Sequence, residues 1–225
     1  MTSLWWVLAA VCFSLTLIIE TSSWCLRARA EVNNQGLYNS RVNIYLYTAR
    51  FFYLVFMVLM AWAVDRGATR QEVLGVTSAA AVLGLVAHSL YVFFGNVSRF
   101  VDRRILAVLV PEAEDRRDIA LGFQVNNALF GWAAFSAFFL MMGVTLPFVI
   151  AAMFPDSRMM ISSLGQAINA VGTVIVLFKV DYAMYQSMDT GRLPQLVGYF
   201  VTGRIVALVA VACVSTAAFL MLATA

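Results

Sequence analysis

Hydrophobic positions along the chain gather into long runs, and a helix needs about 20 such residues to cross the hydrocarbon core of a bilayer. Six runs qualify, over residues 4–25, 42–64, 73–95, 124–154, 159–180 and 195–223. The fourth is the longest and carries Pro147; a proline inside a helix removes one backbone hydrogen bond, which predicts a kink or a tilted, broken end. Between the third and fourth runs, Val97, Phe100, Val101, Ile105 and Val108 recur at helical spacing against Arg99, Asp102, Arg103 and Arg104. This amphipathic segment, within Asn96 to Phe123, either lies in the membrane interface or extends the third helix into the cytosol. The pattern predicts an all-α integral membrane protein with six transmembrane helices, forming a single domain over residues 1–225.

Composition leads to the same class. Of the 225 residues, 62% are hydrophobic and 12% charged, with a mean hydropathy of +0.85, whereas an ordinary soluble domain is nearer half apolar. Residues 1–19 contain no Lys or Arg and the apolar run outlasts a signal peptide, so the first helix is expected to remain. Cys12, Cys25 and Cys213 are scattered through apolar runs, which favours neither a disulfide framework nor a metal site. No cofactor and no nucleic-acid partner are expected.

Lys and Arg at the helix ends set the orientation, because cytoplasmic loops carry the excess. Arg27, Arg29, Arg41, Arg99, Arg103, Arg104, Arg116, Arg117, Lys179 and Arg192 fall on one side, and only Arg66, Arg70 and Arg158 on the other. Both termini are therefore expected outside. Arg50 lies nine positions beyond Arg41, and Arg204 nine beyond Gln195, which at about 1.5 Å per residue puts both guanidinium groups roughly 13 Å inside the membrane from the basic side. Glu20 and His88 fall in the same half, Asn126 and Asn127 open the fourth helix, and Gln166 with Asn169 reaches the middle of the fifth.

Helical spacing collects these polar groups on single stripes: Asn43, Tyr47 and Arg50; Gln166, Asn169 and Thr173; Glu20, Trp24 and Arg27. Unpaired, Glu20, Arg50 and Arg204 would together cost on the order of 8–10 kcal/mol in the membrane. Each polar residue taken singly reads equally well as glue between helices, in contacts worth about a kcal/mol or less. Two arginines against one carboxylate nevertheless leave surplus positive charge, which calls for an anion or a wet cavity. His88 reads as a satisfied core histidine, and the runs Trp5-Trp6 and Phe51-Phe52-Tyr53 as interfacial or lipid-facing rings. No phosphate-binding loop, dinucleotide turn, metal cluster or nucleophile triad is recognisable. The acidic Glu112, Glu114, Asp115 and Asp118 alternate with Arg116 and Arg117 and read as a solvated loop.

The run Glu20-Thr21-Ser22-Ser23-Trp24-Cys25-Leu26-Arg27 resembles the opening motif of the Amj family, bacterial lipid II flippases that act as an alternate to MurJ. Asn43-x6-Arg50 resembles the family's next motif. Ser162 to Asp181, with Gln166, Asn169 and Gly172, is similar to its penultimate helix, and Asp189, Gly191 and Gly203-Arg204 to its final loop and helix. The resemblance covers residues 16–64 and 131–222 and departs at Arg29 and Ala49. It implies translocation of lipid II, or a related polyprenyl-pyrophosphate-linked glycan, from the cytoplasmic to the periplasmic leaflet of a bacterial inner membrane. On that footing Arg50 and Arg204 would meet the pyrophosphate, since the guanidinium fork suits phosphate and keeps its charge. Asn43, Gln166 and Asn169 would bond sugar or peptide, Arg27 would belong to the same binding set, and Glu20 would hold the arginines in the empty site.

Two other classes remain open on the residues. A membrane enzyme on the same lipid class would draw on His88, Glu20 or Asp181, and a non-transporting assembly protein would need none of the arginines. The small residues Gly198 and Thr202, with Gly165, Asn169 and Gly172, also offer a surface for a homodimer.

Overall fold

The structure, a computed structural model, describes residues 2–30, 35–111, 119 and 121–223. The acidic loop of Glu112 to Asp118 lies outside the described residues. Helix α1 runs over Thr2–Ala28, α2 over Gln35–Asp65, α3 over Arg70–Phe93, α4 over Gly95–Leu109 and α5 over Ala128–Met153. Then come α6 (Arg158–Ile175), a π-helical stretch (Val176–Asp181), α7 (Tyr182–Asp189) and α8 (Leu193–Ala223). The π stretch joins α6 to α7, and the described residues contain six segments long and apolar enough to span a membrane.

Boundaries move where capping overrides hydropathy. Helix α2 begins at Gln35 instead of 42, because the polar residues Asn39, Ser40 and Arg41 continue the helix beyond its apolar portion. Helix α5 begins at Ala128 instead of 124: Asn127 takes an extended conformation and its side chain accepts a bond from the Leu129 N–H, satisfying a donor at the helix start. The preceding stretch lies along α8, with the Gln124 N–H donating to Thr202 Oγ1 at 3.1 Å. Past Pro147, α5 continues unbroken to Met153.

Small residues set how closely the helices approach. A Cβ on Gly143 would stand 2.7 Å from the Asn169 backbone nitrogen, and one on Gly203 would stand 2.6 Å from the Phe130 carbonyl oxygen. Gly165 accommodates Pro147, Gly172 accommodates Leu140, and Gly198 accommodates Gln124. The glycines read as a dimer surface are thus used within the chain, as is Thr202, which is fully buried. Trp6, read as interfacial, seats its ring on Gly75.

Packing follows one path: α2 on α1, α1 on α3, α3 on α8, α8 on α5, and α5 on α6. The helices therefore form an arc α2–α1–α3–α8–α5–α6, and its end helices, α2 and α6, face each other across a gap. Two turns in the arc have left-handed glycines, Gly67 at φ 85° and Gly191 at φ 68°, a conformation glycine adopts without steric cost. Each closes its helix with reverse bonds, Gly67 N–H to Val64 and Ala68 N–H to Ala63 in one, Gly191 N–H to Met188 and Arg192 N–H to Ser187 in the other.

The placement of α4 is decided by Asp102. Residues 91 and 102 of one continuous helix would stand about 16 Å apart, yet the Tyr91 hydroxyl donates to Asp102. The chain breaks at Phe94 and α4 folds back over the basic end of the bundle. Arg29, just beyond α1, holds it there, its Nε 2.5 Å from Asp102 Oδ2 with both side chains buried. Asp102→Ala is expected to free α4 at a cost of about 3–5 kcal/mol, the range for stripping one partner from a buried ion pair. A lowered thermal midpoint in detergent and faster hydrogen exchange over Gly95–Leu109 would register it. Burial holds the Asp102 carboxyl above its usual range, while the Arg29 guanidinium and the Tyr91 hydroxyl pull it down. A carboxyl raised in the folded chain favours folding most when protonated, so this contribution fades as pH climbs from the ordinary carboxylate range through the raised value.

Candidate functional site

Three connected chambers occupy the gap between α2 and α6. The one nearest the basic end, about 200 Å³, is lined by Glu20, Arg27, Arg50, Asp181 and Arg204, with Trp24 and Tyr185 at its edge. A middle chamber of about 340 Å³ shares Glu20, Arg50 and Arg204 and adds Thr16, Tyr53, Asn169 and Thr173. The third, about 530 Å³, continues from Tyr53 and Asn169 to Asp65 at the far end, between Phe148 and Gln166. Together they make a groove running most of the length of the bundle, between α2 on one side and α6, the π stretch and α7 on the other, with a floor of α1 towards the basic end and α5 towards the far end.

Each arginine is held differently. Arg204 is buried on α8, where Gly203 lets that helix lie against α5. Its Nη1 stands 3.5 Å from Glu20 Oε2, close enough for ion pairing, and Nε and Nη1 make no hydrogen bond among the described residues. Its Cζ lies over the Phe200 ring, 5.2 Å from the centroid. Arg50 extends from α2 into the groove, stacked on Tyr47 at 5.9 Å and exposed there. Arg27 is the most constrained: Nε donates to Asn39 at 2.8 Å, Nη2 to Asn43 at 2.6 Å and Nη1 to Ser23 at 3.1 Å, with Trp24 beneath it at 4.7 Å.

Glu20 has 38% of its side chain accessible and lines two of the chambers. That accessibility faces the chambers, so the carboxylate can be hydrated or take part in binding. Its ion pair is with Arg204 and not Arg50, which narrows the expectation that it would hold both. Asn43 spends its carbonyl oxygen on Arg27 and positions that guanidinium. Asn169 lines the middle chamber with a buried Oδ1 that makes no hydrogen bond. Gln166 lies further along, in the far chamber with Asp65, away from the charged cluster. His88 is enclosed between the Gly84 carbonyl, at 2.7 Å, and Thr21 Oγ1, at 2.8 Å, a satisfied core histidine.

Asp181 completes the cluster and breaks the sequence stripe. It lies within electrostatic range of Arg204 and Arg27, eight residues beyond Thr173. Eight residues of α-helix turn about 800°, leaving Asp181 some 80° off the face of Thr173. A π turn absorbs one extra residue and brings the two faces back to within about 20°. The sequence marked it as an acidic residue in an apolar run, as a candidate of the enzyme reading and as the end of the stretch Ser162 to Asp181, but not as a partner of the arginines. Tyr53, read as lipid-facing, turns out to line the groove, and Asn39 joins the site through Arg27.

Three guanidinium groups and two carboxylates therefore line one chamber, leaving an excess of one positive charge inside the helical bundle. These features define an all-α integral membrane protein with a charged cavity in its interior. No family model, curated protein or solved structure matches the chain.

Proposed function

We propose that this protein is a flippase for a polyprenyl-pyrophosphate-linked glycan, lipid II being the substrate that the resemblance of its motifs implies. The observation that carries the reading is the excess of guanidinium over carboxylate in a chamber that continues into a groove spanning the bundle. A pyrophosphate presents paired acceptor oxygens and negative charge, which Arg50 and Arg204 match by charge and by fork geometry. Arg27, fixed by Asn39 and Asn43, adds a third positive group at the basic end. Asn169 and Gln166 offer amide groups further along the groove for the sugar or peptide, and the prenyl tail stays in lipid beside the gap between α2 and α6.

In this reading the protein resides in a bacterial inner membrane with its basic end in the cytoplasm and both termini outside. Cells in which it is the sole candidate flippase are expected to present lipid II to an externally added, membrane-impermeant probe, and depletion of the protein is expected to abolish that signal. Lipid II confined to the inner leaflet while the protein is abundant in the membrane would refute the proposal.

A further inference from the structure

We infer that the chain is two copies of one three-helix unit set in opposite orientations, α1–α3 and α5–α8, and that it has a second conformation in which the two ends of the groove exchange widths. The inference does not depend on which lipid is moved.

The correspondence is fixed first at the glycine turns. Asp65, Gly67, Gln71 and Val73 recur as Asp189, Gly191, Gln195 and Val197, each 124 positions further along. The backbone repeats with them. The bonds from 66 to 62, 67 to 64 and 68 to 63 reappear from 190 to 186, 191 to 188 and 192 to 187, and both glycines are left-handed. No other described residue has a positive φ.

The same offset carries into the helices. Ala9 corresponds to Ala133, Leu17 to Met141 and Thr21 to Thr145, all buried. In the third helix of each unit Val73, Val76 and Ala80 correspond to Val197, Phe200 and Arg204, again all buried. In the second helix Phe56 and Met60 correspond to Val180 and Met184. Before the π stretch the offset falls by one, pairing Asn43 with Gln166 and Arg50 with Thr173, so the π turn marks a one-residue insertion in the second copy. The order of packing, α2–α1–α3–α8–α5–α6, reads the same from either end under this exchange.

Three membrane crossings, α1, α2 and α3, precede α5, so the two units run in opposite directions through the bilayer. This is the architecture of inverted-repeat transporters, in which one unit rocks against the other around a central site. Here each unit reaches across the groove with one ring. Trp24 on α1 meets Tyr185 on α7, with centroids 5.1 Å apart, at the basic end. Phe148 on α5, the counterpart of Trp24, meets Phe56 on α2 at 6.3 Å towards the far end. The two contacts bracket the charged chamber. The units are equivalent but their contacts are not: α2 touches α5, whereas the equivalent pairing of α6 with α1 is looser, and the far chamber is the larger. Exchanging the two local arrangements gives a state with the basic end wide and the far end narrow.

Spin labels on the full chain in nanodiscs would test this, with the native cysteines replaced by serine. One pair, at Asp65 and Met160, reports the far end; the pair at Leu37 and Asp189, which occupies equivalent positions, reports the basic end. Each pair is expected to give two distance populations. A Trp24→Cys/Tyr185→Cys disulfide, which fixes the narrow basic end, should retain only the longer distance at the far end and only the shorter one at the basic end. A single distribution at both ends of the unlocked chain, or a lock that leaves the far end unchanged, would overturn the inference. Exchange without lipid transport would uphold it and count against the flippase reading alone.

Discussion

Arg50→Gln and Arg204→Gln are each expected to cut transport about tenfold to a hundredfold in a leaflet-accessibility assay. The range corresponds to losing one charge-assisted bond of about 1.5–3 kcal/mol to the moving anion. The two variants should differ in stability. Arg50 is exposed in the groove and its guanidinium stacks on Tyr47, so its loss should leave the thermal midpoint near that of the wild type. Arg204 is buried and is the ion-pair partner of Glu20, so its loss also strands a carboxylate and should lower the midpoint. Lysine at either position keeps the charge without the fork and should restore transport only in part. Undiminished transport in both glutamine variants would remove the anion site from the account.

Gly203→Leu is expected to have the largest effect on folding. Even a Cβ there would lie 2.6 Å from the Phe130 carbonyl oxygen and 2.9 Å from the Ala134 nitrogen. These are backbone atoms of α5 that yield only if the helices separate. Overpacking of this kind costs about 1–3 kcal/mol or more, and here it also displaces the neighbouring Arg204. Gly131→Ala meets nothing within 4 Å and should be neutral or stabilising by up to about 1 kcal/mol, since alanine is the better helix former. Fluorescence-detected thermal unfolding in detergent would rank the two; a Gly203→Leu chain as stable as the wild type would mean that α5 and α8 are not in close contact.

Hydropathy and charge made the six helices, the stripes bearing Glu20, Arg50 and Asn169 and the depth of Arg204 legible, because a lipid-facing helix tolerates few exceptions and each one stands out. Three features were less legible. Asp181 was named only for the enzyme reading and was not placed with the arginines, because it lay off the 3.6-residue period until the π turn realigned it. The position of α4 depended on Asp102 meeting Tyr91 and Arg29, a long-range contact that no local pattern encodes. The duplicated Asp-x-Gly-x-x-x-Gln-x-Val was present in plain letters at 65–73 and 189–197, but the rest of the two halves had diverged too far for it to draw notice. Hydropathy alone also fails at α2, whose first turns are polar and helical.

The gap between α2 and α6 is a seam along the side of the bundle and not a closed bore. A groove open along that seam cannot measure what hangs out of it. In the flippase reading, what passes along the charged chambers would be sorted at its head, by phosphate and amide chemistry, while the chain trailing into the bilayer would go unread. In the flippase reading, prenyl length and saturation would then be ignored by the protein, and a short-tailed analogue would be handled as readily as the full-length lipid.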